Sequence, residues 1–248
     1  MIKRSTAIAM AVLLGGLPVW GDIVSAEFDG PTKRYGHAVL GDDVEYTILR
    51  IKTDNTVGSS TKALKVDTVV RKEEYEIRLP IDHVFEDIEP RLADITGNGQ
   101  KEVIVIETDM SAGAALAVYD KNSKIAETPH IGTRNRWLAP IGVADFNGDG
   151  DMDVAYVDRP HLAKTLRVWT YRDGGLTEIA SIKGVTNHSI GEPFITSSIR
   201  TCDGRAEMIL NDARRTNIIS VFFEGGKLTS KELGKYNGPD SVINPPAC

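Results

Sequence analysis

Apolar runs of four to seven residues, separated by turns rich in Gly, Asp and Asn, recur along most of the chain, and no long stretch carries helical periodicity. The best-defined series predicts strands at Leu138 to Ala144, Val154 to Val157, Leu166 to Tyr171 and Leu176 to Ile182, with Asp173-Gly174 turning the last hairpin. The same series recurs upstream as Val103 to Ile106, Leu116 to Tyr119 and a run from Ile125. Downstream it is Met208 to Leu210, Ile218 to Phe223, a turn at Gly225-Gly226 and a run from Leu228. The segment from Arg34 to Pro80 accommodates Tyr46 to Ile51, Ala63 to Val70 and Tyr75 to Leu79 as a further unit.

The series is a repeat of about 50 residues. Ala93-Asp94-Ile95-Thr96-Gly97-Asn98-Gly99-Gln100-Lys101-Glu102-Val103 returns as Ala144-Asp145-Phe146-Asn147-Gly148-Asp149-Gly150-Asp151-Met152-Asp153-Val154, with the glycines in register. A third copy, Ser198 to Met208, keeps Asp203, Gly204 and Glu207, and a worn fourth stands at Val39 to Glu45. Four-stranded units of this kind bury their faces only by stacking on one another. They predict an all-β propeller of about four four-stranded blades, or five if the chain ends combine into one. A β-sandwich with irregular strands is the competing architecture, but it leaves the glycine register unexplained.

The loop Asp145-x-Asn147-x-Asp149-Gly150-Asp151-x-Asp153 places an oxygen ligand at every second residue, and Gly148 and Gly150 permit the tight turn. That pattern suits calcium, which takes six to eight oxygens. It resembles the FG-GAP/VCBS repeat, whose loops carry Asp-x-Asx-x-Asp-Gly-x-x-Asp and bind calcium within propellers such as the integrin head. The resemblance spans about Arg91 to Leu228 and implies a metal role for Asp145, Asn147, Asp149, Asp151 and Asp153. It also implies a weaker site at Asp94, Thr96, Asn98, Gln100 and Glu102, where fewer formal charges are on offer. In the third copy Ile199 and Thr201 replace the first two ligands, and no metal is expected.

Lys3 and Arg4 precede an apolar run from Ala7 to Trp20, and Val24-Ser25-Ala26 supplies small residues for cleavage, so residues 1–26 read as a secretory leader. The apolar run is shorter than a membrane span needs, and no later stretch is apolar enough to provide one. The expected product is a periplasmic or secreted protein, with the propeller over 27–235 and a C-terminal tail over 236–248. An oxidising compartment permits a Cys202–Cys248 disulfide, with two unpaired thiols as the alternative. The formal charge of −6 disfavours nucleic acid and anionic membranes and favours cations.

In a propeller the metal-type loops share one rim and the remaining connections gather on the other. The second rim collects Arg134, Asn135, Arg136 and Trp137, then Asp158, Arg159, His161 and Lys164, then Asn187 and His188, then Arg214 and Arg215. The arginines and the Trp137 ring suggest a face that binds a protein partner or an anionic ligand. The opposing reading is a wet polar rim neutralised by Asp158, Glu192 and Asp212. No nucleophile motif stands beside a histidine, so a binding or scaffold role is preferred. The alternative is a hydrolase or lyase using His161, His188, Arg134 and Arg136 on an anionic substrate. Trp169, Tyr119 and Phe222 occupy matching third-strand positions and read as packing between blades.

Overall fold

A computed structural model describes residues 21–57 and 69–248. The described residues are all-β apart from one short C-terminal helix. The expected leader lies outside the described residues as far as residue 20.

The first three strands are β1 (Asp22–Thr32), β2 (Glu45–Val57) and β3 (Val69–Arg78), with β2 in the middle. This differs from the strands expected between Arg34 and Pro80. The pairing partner of Tyr46 to Ile51 on one side is the segment from Asp22, and Val69 to Arg78 is one continuous strand. The earlier part of the expected Ala63–Val70 strand lies outside the described residues.

The second unit runs through β4 (His83–Phe85), β5 (Arg91–Ala93), β6 (Glu102–Asp109), β7 (Gly113–Tyr119) and β8 (Lys124–Glu127). Here β4 and β5 pair with successive parts of β6, so together they form one interrupted strand. A single pair, Tyr46 with Phe85, joins this unit to β2. The third unit is an uninterrupted meander of β9 (Leu138–Ala144), β10 (Asp153–Asp158), β11 (Thr165–Arg172) and β12 (Gly175–Lys183). The fourth has β13 (Val185–Thr186) and β14 (Ser198–Cys202) along one edge of β15 (Arg205–Asp212), followed by β16 (Asn217–Glu224) and β17 (Lys227–Lys235). Helix α1 (Asp240–Ile243) follows.

Side-chain alternation along the strands explains the stacking. On β6 and β7, Val103, Val105, Ala117 and Tyr119 join Ile23, Leu49, Ile51 and Phe85 in one cluster. Their neighbours Ile104, Ile106, Leu116 and Val118 join β10 and β15 residues, among them Val154, Tyr156, Met208 and Leu210, in the main core. Strands buried on both faces therefore lose polar alternation, which is why β6, β7 and β10 read as continuous apolar runs.

The two end faces are finished differently. On the last sheet, Ile209 and Ile218 are covered by Val242 of α1, with Leu233 and Tyr236 beside them. Among the described side chains, none from β1 to β3 belongs to that cluster. On the first sheet, Arg50 pairs with Asp29, Glu74 and Glu76, and Lys52 pairs with Glu27, giving a charged outer surface. The first and last units instead meet through their loops, where Gly191 N–H donates to Val39 O at 3.0 Å. A Cβ on Gly41 would stand 2.9 Å from Gly191 O.

The expected third-strand aromatics take distinct places. Tyr119 lies in the cluster shared with β1 and β2, and its hydroxyl donates to Glu107. Trp169 stacks on Tyr156 in the main core, and Phe222 lies under the Arg205 guanidinium.

Candidate functional site

Four connections converge on a cavity of about 380 Å³: β1–β2, β8–β9, β10–β11 and β13–β14. His37 and Val39 come from the first, Asn135, Arg136 and Trp137 from the second, Arg159 to Leu162 from the third and Ile190 from the fourth. A neighbouring depression shares Pro160, His161 and Ile190, and adds Lys164, His188, Arg214 and Arg215. The structure thus places the polar connections of one rim around a common hollow.

The backbone at this rim is unusual. Asn135, Arg159, Lys164 and Arg215 all have positive φ, at 54°, 45°, 48° and 55°. For residues with a Cβ this region costs on the order of 1 kcal/mol each. Short bonds hold the loops in place: Arg159 N–H donates to Trp137 O at 3.0 Å, and Ala114 N–H donates to Arg136 O at 3.0 Å. Gly113 makes the second approach possible, because a Cβ there would stand 2.4 Å from Thr133 O.

The face is less basic than its arginine count suggests. Arg159 donates two hydrogen bonds to Asp158, from Nε at 2.7 Å and from Nη2 at 3.0 Å. Arg215 pairs with Glu192 at 2.7 Å, and Lys164 donates to Ala213 O. Arg134 lies over the Tyr35 ring and donates to Met110 O. Arg136, by contrast, is half-buried, and among the described residues its side chain bonds its neighbour's carbonyl, Asn135 O, and no carboxylate. Trp137 was expected to offer a stacking surface. It is 2% exposed, donates its indole N–H to Glu86 O at 2.7 Å, and forms part of the wall. Asn187 is wholly buried and ties β9 through Ala139 O and Pro140 O.

The histidines form a directed chain. His188 Nε2 lies 2.9 Å from Glu192 O, and a carbonyl only accepts, so this nitrogen carries the proton. Burial pushes the His188 pKa down, so the ring is neutral near pH 7 and its Nδ1 is an acceptor. His161 Nε2, at 2.9 Å, therefore donates to it. Burial and the His188 ring push His161 down to about 4, which leaves its Nδ1 as a bare acceptor. His37 is drawn instead to Glu86, which is buried and also accepts from Thr108.

On the opposite edge of the strands lie the three repeated loops, and each buries an acid where its second strand begins. These are Glu102, Asp153 and Glu207, at 4%, 0% and 4% exposure. Glu102 accepts from Ile95 N–H at 3.0 Å, Thr96 N–H and Thr96 Oγ1, so its own loop satisfies it. Glu207 is met by Arg200, Arg205 and Ser220. Burial pushes its carboxyl up, and bonds from Ser220, Arg205 and Arg200 outweigh that and hold it below the ordinary value.

Asp153, one methylene shorter, is met less fully. Its Oδ2 accepts from Phe146 N–H at 3.0 Å, while Oδ1 is buried and, among the described residues, makes no hydrogen bond of ordinary geometry, the facing Thr170 hydroxyl lying near enough to favour the carboxylate only weakly. Burial, with the nearby Asp149 charge contributing, pushes Asp153 up to about 6.

Around it, Asp145 accepts from Gly148, Asp149 and Gly150 N–H groups, and Asn147 Oδ1 from Asp149 N–H. Asp149 and Asp151 are bridged by the Arg172 guanidinium from the β11–β12 hairpin. In the weaker copy Asp94 and Asn98 make the same loop bonds, to Asn98, Gly99 and Gln100 N–H groups. Among the described residues, no three His, Cys, Asp or Glu side chains are arranged to hold a metal ion. The all-oxygen donor set and the orphaned Asp153 oxygen nonetheless suit a hard cation at the Asp145 loop. The loop of the second unit has no such orphan.

Cys202 and Cys248 are joined as a disulfide that fastens the tail to β14, and Arg200 donates to Pro246 O nearby. No helix among the described residues is long and apolar enough to cross a membrane.

His37, Val39, Leu162, Ile190, Glu86 and Gly113 were absent from the residues expected at this face. Leu162 and Ile190 are 63% and 72% exposed, and two large apolar residues inside otherwise polar connections were the available signal. The partnership of His37 with Glu86 spans 49 positions and left no local trace.

A family model described as FG-GAP-like repeat matches residues 94–156, which run from the first acid of one cassette into β10 of the next. No curated protein matches the chain. The segment 94–156 is thus an FG-GAP-like repeat.

Proposed function

We propose that this chain is an exported, calcium-held propeller of about four blades that binds a small anionic ligand with an apolar body. The reading starts from the repeat at residues 94–156 and rests chiefly on the cavity of about 380 Å³. That volume lies in the range of small-molecule sites.

The lining has two ends. Val39, Trp137, Pro160, Leu162 and Ile190 would receive an apolar group, while the Arg136 guanidinium would receive a carboxylate or phosphate. His161 Nδ1 would accept a hydrogen bond from a ligand hydroxyl or amide. The strained φ values at Asn135 and Arg159 support a functional reading of this rim, since strain persists where the surrounding structure enforces it. The lining holds no Ser, Thr, Cys or carboxylate, so a nucleophile is missing and binding is favoured over hydrolysis.

Calcium would be held by Asp145, Asn147, Asp149 and Asp153 with the Asp151 backbone, and would neutralise carboxylates that otherwise repel one another. Its role is to fix the β9–β10 turn. The ligand reading is tested by calorimetric titration with benzoate as an aromatic monoanion. Binding to the wild type and at least tenfold weaker binding to Arg136→Ala are expected. Equal binding by both proteins, or none by the wild type at millimolar benzoate, refutes the assignment of this pocket.

A further inference from the structure

The Val24-Ser25-Ala26 triplet that reads as a cleavage site has another occupation in the fold. Residues Asp22 to Ala26 make up the first part of β1, and Asp22, Ile23, Ser25 and Ala26 pair with Asp54, Thr53, Lys52 and Ile51. The register slips between Ile23 and Ser25, so Val24 is the extra residue of a β-bulge, and it is 48% exposed. Ile23 is 4% exposed and belongs to the cluster with Leu49, Ile51, Phe85 and Tyr119. Asp22 Oδ1 accepts from Lys101 N–H at 3.1 Å, fastening the strand to the loop of the second unit. A cut after Ala26 would remove all of these contacts and leave that side of Thr53 and Asp54 unpaired.

We propose that the leader is instead cut after Gly21, so that the mature chain begins at Asp22. The sequence offers small residues there too, Val19 and Gly21, at the two positions that a leader peptidase reads. The apolar run from Ala7 to Leu14 then ends at Gly15-Gly16, followed by a short segment with Pro18. Asp22 also stands opposite Asp54 in the ladder and pairs with Lys101 at 3.9 Å, and a start at Glu27 would leave both residues without that neighbour.

The inference rests on the export reading, and one experiment separates the two. The full chain is expressed in a host with a general secretory pathway, and the intact mass and N-terminal residue of the exported protein are measured. A start at Asp22 is expected. A start at Glu27 overturns the proposal while leaving export standing, and a chain retaining Met1 in the cytosol overturns both. Chains prepared to begin at Asp22 and at Glu27 give a second readout. The shorter is expected to melt lower by more than about 5 °C, and equal melting temperatures overturn the structural argument.

Discussion

Replacing Asp153 by Asn is expected to stabilise the calcium-free protein at neutral pH, although the residue is wholly buried in the motif loop. In the folded state burial pushes the carboxyl from 3.8 to about 6, so the folded chain holds this proton more tightly than the unfolded one. The corresponding stability is fully present below pH 4, declines as pH rises toward 6, and is withheld above it. The displacement is worth about 3 kcal/mol at pH 7. Asn keeps an acceptor for Phe146 N–H and can offer its amide to Thr170 Oγ1, which faces it across the ladder. In chelator at pH 7.5 the variant should gain up to about 3 kcal/mol, or about 6–12 °C in melting temperature for a chain of this length. At pH 4 the gain should vanish. In millimolar calcium the order should reverse, because the wild type gains binding energy that Asn forgoes. Thermal and urea melts of both proteins under the three conditions give the comparison. A variant less stable than wild type in chelator at pH 7.5 would refute the reasoning.

Cys248→Ser opens a loop spanning 46 positions and should cost about 2–4 kcal/mol by urea unfolding, with an unchanged melt counting against the tail's role. Gly113→Ala combines a φ of +82° with a clash at Thr133 O, and should both lower the melting temperature and weaken benzoate binding; a variant indistinguishable from wild type in both contradicts the packing described. The His161 ring, pushed down to about 4, should show no NMR titration between pH 5.5 and 8, whereas a midpoint near 6.5 contradicts its neutral state in the histidine chain.

The repeat was legible because its chemistry is local. Glycines that must take positive φ and acids that accept from their own loop, as at Asp145 to Gly150, leave a fixed spacing in the sequence. The second and third units were legible for the same reason, and β10 and β11 lie close to the runs that predicted them. β1 was obscured because Val24-Ser25-Ala26 serves a bulged strand with residues that also suit a peptidase. The division of Tyr75 to Leu79 from the residues before it followed polar residues that the structure places within one strand paired with β2, with Glu73 and Glu74 exposed.

At the cavity, sequence position identified the loops but not their charge balance. The Arg215–Glu192 pair spans 23 positions and the His161–His188 bond 27, and neither distance carries a local signature. Most of the expected positive charge is consequently met inside the protein, and Arg136 is left at the pocket as a half-buried guanidinium that no carboxylate among the described residues meets, while Arg214 is exposed at the neighbouring depression. The three buried acids show how one cassette diverged. A longer side chain reaches its own loop at Glu102, arginines meet Glu207, and Asp153 retains an oxygen that no hydrogen bond of ordinary geometry meets among the described residues.

Calorimetric titration of calcium into chelator-stripped protein addresses that last difference directly. The account predicts one site, lost in Asp149→Ala and in Asp153→Asn although both variants still unfold cooperatively. Absence of binding at millimolar calcium, or binding that survives both substitutions, would contradict it.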